Sequence, residues 1–95
     1  MAQTIEIRPW DAAEFLTGDE DIRHYFEAAF EDGDSALIRE AFKTVARARG
    51  ITALASNTGL SREALCKAFG ENGNPTLDTL LKVTKALGVR LAIAA

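Results

Sequence analysis

A capped helix start in the middle of the chain carries side chains that can read the edge of a base pair. Ser61 is followed directly by Arg62 and Glu63, and Lys67 lies further along the same predicted helix. The Ser61 hydroxyl can accept a hydrogen bond from an otherwise unpaired N–H group, which marks the helix start. Arg62 can pair with guanine O6 and N7, Glu63 can accept from cytosine N4, and Lys67 can contact phosphate or base. Glu63 could alternatively serve only to orient Arg62 or to favour the helix N-terminus.

The residues around this helix have the spacing of two short helices joined by a tight turn. In the segment ITALASNTGLSREALCKAFG, the small Ala55 suits a close helix crossing. Gly59 follows four residues later, where the turn needs a positive φ that a Cβ makes costly. The apolar residues expected to pack the two helices together are Leu54, Leu60 and Leu65. The pattern predicts a helix-turn-helix that binds double-stranded DNA, and the alternative is an ordinary helical hairpin.

Other polar residues near this helix pair are expected to contact the DNA. Thr52 begins the first helix, where its hydroxyl and nearby N–H groups can hold a phosphate. Thr58 and Asn74 are further phosphate candidates, although they and Lys67 could instead form local caps or lie in solvent. Ala64 lies in the first turn of the second helix, the part nearest base edges. The predicted DNA-contacting residues are Thr52, Thr58, Ser61, Arg62, Glu63, Ala64, Lys67 and Asn74.

The charges are divided unequally along the chain, although the net charge is only −3. Residues 1–40 hold eleven acidic and three basic residues, a net charge of −8. Residues 41–95 hold eight basic and three acidic residues, a net charge of +5. Phosphates would be attracted to the basic half. The acidic half either binds a basic protein or forms a solvated face.

The remaining chain is mostly helical in its periodicity, with alternating segments near both ends. Apolar residues at helical spacing from Ile22 to Phe30 predict one buried stripe. Leu37, Leu77 and Leu81 are likewise expected to face inward in later helices. The expected elements are a strand over 4–8, a short helix over 11–16 capped by Asp11, a helix with a capped start after Gly18, a helix from Asp34 or Ser35 to Gly50, the helix pair, a loop over 70–75, a helix from Thr76 to Gly88 and a strand over 89–94.

The two predicted strands need partners, because two lone short strands cannot stand as a sheet. They are expected to pair with each other, or the tail pairs with the same tail of a second copy. Either arrangement would help build a homodimer, the form in which helix-turn-helix proteins commonly bind two half-sites.

Composition excludes several classes of protein. With 95 residues, of which 47% are hydrophobic and 26% charged, the chain suits one small folded domain. No apolar run approaches membrane-spanning length, and the N-terminal residues lack the features of a secretory signal. The single cysteine, Cys66, fits a reducing cytoplasm. One histidine, His24, has no partner at ligand spacing, so we expect no metal site, no cofactor and no enzymatic activity.

The sequence resembles the lambda-repressor-like (Xre) helix-turn-helix family over residues 34–87. It is most similar to one branch, the probable addiction module antidote proteins, which are antitoxins related to the HigA type. The resemblance is carried by DAAEFL, EDIRHYFEAAFEDGD, VARARGITALASNTGLSREALCKAF and GNPTLDTLLKVTKALGVRL, which together extend over nearly the whole chain. The family often has glutamine at the position of Ala53, where it contacts the backbone near the DNA. Ala53 cannot make that contact.

The resemblance implies a mainly α fold: a lambda-repressor-like helix-turn-helix bundle with an N-terminal helical extension and one or two short terminal β-strands. Residues 1–33 would form an acidic extension, and residues 34–95 an Xre-type DNA-binding domain packed with it into one compact unit. It also implies an antitoxin of a type II toxin–antitoxin module. Such proteins neutralise a RelE/HigB-like toxin, a small basic protein that cuts messenger RNA, and repress their own operon.

Two other interpretations remain open from the sequence. A plain Xre-type transcriptional regulator would have no toxin partner, and its acidic half would serve packing or dimerisation only. A module that mediates only protein association would show no salt-sensitive DNA binding.

Overall fold

The computed structural model describes residues 12–93, apart from the side chains of Ala12 and Glu14. All regular secondary structure in this range is helical, which confirms the prediction of a mainly α fold. None of these helices is both long enough and apolar enough to cross a membrane. The elements are a 3-10 turn at Ala12–Phe15 and the α-helices α1 Asp19–Glu31, α2 Ser35–Arg49, α3 Ile51–Thr58, α4 Arg62–Ala68 and α5 Leu77–Leu87.

The helix boundaries follow from local capping chemistry. Asp34 is the N-cap of α2, and its carboxylate accepts a hydrogen bond from the Ala36 N–H at 2.9 Å. Thr76 is the N-cap of α5, and its hydroxyl accepts a hydrogen bond from the Thr79 N–H at 3.1 Å. Gly50 and Gly88 end α2 and α5 with positive φ values, which glycine adopts at little cost. These boundaries agree with those predicted from the sequence.

Three local predictions differ from the structure or lie outside it. Gly18 is the N-cap of α1 but provides no side-chain hydrogen bond. Three acidic residues in the first turn instead stabilise the helix start through the positive end of the helix dipole. The segment predicted as a short helix over 11–16 forms only the 3-10 turn. The predicted strand over 4–8 and the Asp11 cap lie outside the described residues.

The C-terminal tail does not form the strand predicted over 89–94. Residues 89–93 have no regular secondary structure in the single chain, and residue 94 lies outside the described range. A strand needs a neighbouring strand for its backbone hydrogen bonds, and no described segment of this chain provides one.

The core is organised around Phe42 in the middle of α2. Its ring stacks on Phe69 with a centroid distance of 5.2 Å and packs against Phe26 at 4.8 Å. Val45 and Val83 are fully buried in the same core, and α5 packs chiefly against α3. The buried apolar residues are Ile22, Phe26, Ala41, Phe42, Val45, Ala46, Leu54, Leu65, Phe69, Val83 and Leu87.

Several apolar side chains expected in the core are exposed instead. Leu37 and Leu81 are each 48% exposed, Leu77 is 66% exposed, and Phe30 is 38% exposed. Helical spacing predicts which residues share a face, but it does not reveal how much of that face another element covers.

Among the described residues, two long-range polar contacts join parts of the chain that are distant in sequence. Arg49, at the end of α2, forms an ion pair with Asp19 at the start of α1. Arg39 in α2 donates a hydrogen bond to the backbone carbonyl of Glu71 at 2.7 Å, which holds the loop after α4 against α2.

Candidate nucleic-acid interface

The turn between α3 and α4 is fixed by one glycine and one hydroxyl group. Gly59 has φ +76°, and its N–H donates to the Ala55 carbonyl at 3.0 Å. The Thr58 hydroxyl donates to the Leu54 carbonyl at 2.8 Å and accepts from the Leu60 N–H at 3.2 Å. The two helices are therefore joined by a short, hydrogen-bonded connection, as the sequence predicts.

Helix α4 is anchored by its apolar side. Leu65 is 1% exposed and Phe69, directly after the helix, is 3% exposed. Ser61 is the N-cap of α4, and its hydroxyl accepts a hydrogen bond from the Ala64 N–H at 2.9 Å, so the predicted cap is confirmed. This anchoring directs the opposite side of the helix to solvent.

The exposed side of α4 carries the predicted base-reading residues. Arg62, Glu63, Ala64 and Lys67 are all exposed. Among the described residues, neither Arg62 nor Lys67 takes part in an ion pair or a side-chain hydrogen bond. Glu63 likewise has no such partner, so it does not orient Arg62 in this structure. The charged groups of α4 are thus free to meet a ligand.

By contrast, several cations elsewhere in the described residues have acidic partners. Arg23 pairs with Glu20 and Glu27, and Lys82 pairs with Asp78 at 3.1 Å. Arg49 pairs with Asp19, as described above.

A groove beside α4 brings three of the predicted residues together. Ala64 and Lys67 line it from the helix, and Asn74 lines it from the following loop. The loop approaches the helix closely, because a Cβ on Gly73 would lie 2.1 Å from the Ala68 carbonyl oxygen. The sequence indicated only a turn here, and nothing in it identified Arg39 as the residue that holds this loop.

The two threonines of α3 are placed differently from each other. Thr52 is exposed in the first turn of α3 and has no side-chain hydrogen bond within the described range. Thr58 is half-buried, and its hydroxyl proton is used within the turn. Thr58 is therefore placed to position α4, which is the local role that the sequence left open.

The acidic residues of the first helix are partly neutralised by their neighbours. Glu20 and Glu27 flank Arg23 and His24 along one side of α1. At the end of the helix, Glu31 and Asp32 are exposed and have no ion pair within the described residues. Asp21, near the start of the helix, also has no ion pair in the described range and only accepts a hydrogen bond from the Thr17 hydroxyl, so unpaired negative charge lies near both ends of α1.

The fold and this arrangement define a small helical protein with one exposed, charged helix set beside a tight turn. The family model for "probable addiction module antidote protein" matches residues 6–95, and the chain belongs to that family. It is also 38% identical over 90 residues to an uncharacterized protein of Haemophilus influenzae, with 95% of this chain and 93% of that protein covered. No solved structure matches the chain.

Family membership identifies the chain as an antidote, or antitoxin, of an addiction module. An antidote of this kind implies a toxin partner, and the resemblance noted from the sequence is confirmed at that level.

Proposed function

We propose that the chain is the antitoxin of a type II toxin–antitoxin module in the cytoplasm, that it neutralises a RelE/HigB-like toxin, and that it represses its own operon by binding DNA as a homodimer. In this proposal α3 and α4 form a lambda-repressor-like (Xre) helix-turn-helix, and α4 enters the major groove. The observation that carries the DNA-binding part is the exposed side of α4, where Arg62 and Lys67 are unpaired.

The division of labour within α4 follows from the chemistry of each side chain. Arg62, in the first turn, presents a planar fork of donors that fits guanine O6 and N7. Lys67 is one turn further along and lines the groove with Asn74, where a phosphate of the DNA backbone would neutralise its charge. Thr52, at the other end of the helix pair, is a second phosphate contact. Phosphate contacts fix the register, and the arginine supplies the sequence preference.

The toxin-binding part of the proposal is supported by charge. The acidic half carries a net charge of −8 over residues 1–40, and a toxin of the RelE/HigB-like class is a small basic protein. Glu31 at the end of α1 and Asp32 directly after it are candidate contacts for the toxin, because both are exposed and have no ion pair within the described residues. Electrostatic complementarity of this kind speeds association and orients the partners.

A growth experiment tests the toxin-binding part. The protein encoded beside this chain is expressed alone and then together with it, followed by affinity purification. We expect growth arrest by the neighbour, rescue by this chain, and a stable complex. No arrest and no complex would favour a plain Xre-type regulator without a toxin.

A matched pair of variants then tests the acidic surface. Glu31→Lys should weaken the complex, whereas Glu71→Lys makes the same charge change in the basic half at another exposed, unpaired carboxylate and should not. Equal effects of the two variants would contradict a toxin site on the acidic half.

A further inference from the structure

The loop over residues 70–75, between α4 and α5, receives hydrogen bonds both from within itself and from another helix. The Gly73 N–H donates to the Gly70 carbonyl at 2.9 Å, which closes a tight turn inside the loop. The Arg39 guanidinium of α2 donates to the Glu71 carbonyl at 2.7 Å, across a separation of 32 residues. The turn defines the shape of the loop, and the arginine defines where the loop lies relative to α2.

The Arg39 side chain has no acidic partner that would compete for this bond. It is half-buried and takes part in no ion pair within the described residues. Its acceptor is the backbone of Glu71 and not the carboxylate, so the bond constrains the path of the main chain directly. A hydrogen bond from a charged donor is roughly twice as strong as one between neutral groups.

The loop that Arg39 holds forms one wall of the groove beside α4. Lys67 lines this groove from the helix, and Asn74 lines it from the loop, three residues after the carbonyl that accepts from Arg39. Arg39 itself does not line the groove. It is therefore placed to act on a molecule in the groove through the loop, by setting the position of Asn74 relative to Lys67.

We propose that Arg39 is a positioning residue for the nucleic-acid interface, and that it holds the loop so that Asn74 and Lys67 contact the same segment of phosphate backbone. This role rests on the DNA binding of the proposed function and adds a residue that itself touches no DNA. Binding is tighter when the contacting groups are already ordered in the free protein, because less conformational entropy is lost on association. Without the Arg39 donor, the DNA itself would have to order the loop.

Anisotropy titrations of Arg39→Met on the DNA upstream of the gene test this role. Methionine keeps an unbranched stem for packing and removes the donor. We expect an affinity about threefold to tenfold lower than that of the wild type, since coupling between groups in one network is of this order. The slope of log affinity against log salt concentration should not change, because no charged contact to phosphate is removed. A slope smaller by about 1 would show that Arg39 itself contacts a phosphate and would overturn the inference.

A conservative variant and a charge-matched control isolate the hydrogen bond. Arg39→Lys keeps a charged donor and should retain most of the affinity. Lys43→Met removes the same charge about one turn further along α2, from an exposed side chain that has no partner within the described range, and should bind like the wild type. Equal losses in Arg39→Met and Lys43→Met would reduce the effect to the missing charge and overturn the inference. Circular dichroism establishes that all the variants are helical.

A double-mutant cycle with Asn74→Ala separates positioning from general destabilisation. If Arg39 acts through Asn74, Arg39→Met should cause little further loss of affinity in an Asn74→Ala background. Amide hydrogen exchange over residues 70–76 should become faster in Arg39→Met, whereas exchange in α3 should not change. A fully additive loss in the double variant, or wild-type exchange in the loop, would overturn the inference.

The wild-type titration separates the positioning role from the proposed function. A wild type without affinity for the upstream DNA would overturn both. A wild type and an Arg39→Met variant that bind this DNA equally well would overturn only the positioning role.

Discussion

Arg62 is the residue on which the proposed base recognition depends most directly. Arg62→Lys keeps a positive charge but loses the two-pronged geometry, so we expect the variant to bind DNA with about 1–3 kcal/mol less discrimination at the contacted guanine. Arg62→Ala should lose affinity as well. Fluorescence anisotropy with a panel of operator variants measures both effects. Thermal unfolding should not change, because the side chain is exposed and has no partner in the described structure. An unchanged base preference in both variants would exclude Arg62 as the reader.

Substitutions of the two threonines of α3 are expected to affect different properties, stability for Thr58 and DNA binding for Thr52. Thr58→Val removes the hydroxyl that accepts from the Leu60 N–H, so it should lower the free energy of unfolding by about 1 kcal/mol. Thr52→Val should leave stability unchanged and weaken DNA binding, since Thr52 is exposed and makes no side-chain hydrogen bond within the described residues. Urea denaturation and DNA titration of both variants provide the comparison. A stability loss in Thr52→Val equal to that in Thr58→Val would contradict these roles.

At the scale of elements, the loop after α4 is held by close packing and by one arginine. A Cβ on Gly73 would collide with the Ala68 and Lys67 carbonyl oxygens, at 2.1 and 2.5 Å, so the loop must shift in Gly73→Ala. We expect a loss of about 1–3 kcal/mol in unfolding free energy, as for other overpacked sites. Hydrogen exchange in residues 70–76 should also become faster.

Asn72→Ala is the control for this prediction. Asn72 is exposed in the same loop and makes no side-chain hydrogen bond within the described range. Wild-type exchange in Gly73→Ala would show that the loop accommodates the methyl group.

The helix boundaries were predictable because their causes are local. A capping side chain such as Asp34 or Ser61, or a glycine such as Gly50 at a helix end, determines the boundary within three or four residues. The contact from Arg39 to the Glu71 carbonyl joins residues 32 positions apart, and no spacing rule reveals it. The exposure of Leu81 could not be predicted either, since it depends on which element covers α5.

At the scale of the whole molecule, the unequal charge distribution supports the two partners of the proposed function, DNA for the basic half and a basic toxin for the acidic half. The basic half contains the unpaired cations of α4, and the acidic half has free carboxylates at the end of α1. The division was visible in the sequence because it requires only counting charges. Which charges are free was not visible, since ion pairs such as Arg49–Asp19 form only when distant helices pack together.

The proposed function requires this antitoxin to bind the DNA upstream of its own gene through α4. The most direct measurement is an anisotropy titration of the wild-type chain and Lys67→Ala on that DNA and on unrelated DNA, at several salt concentrations. We expect tighter binding to the upstream DNA. The logarithm of the affinity should fall linearly with the logarithm of the salt concentration, and the slope for Lys67→Ala should be smaller by about 1. Equal affinity for both DNAs, or binding that salt does not weaken, would contradict sequence-specific binding through α4.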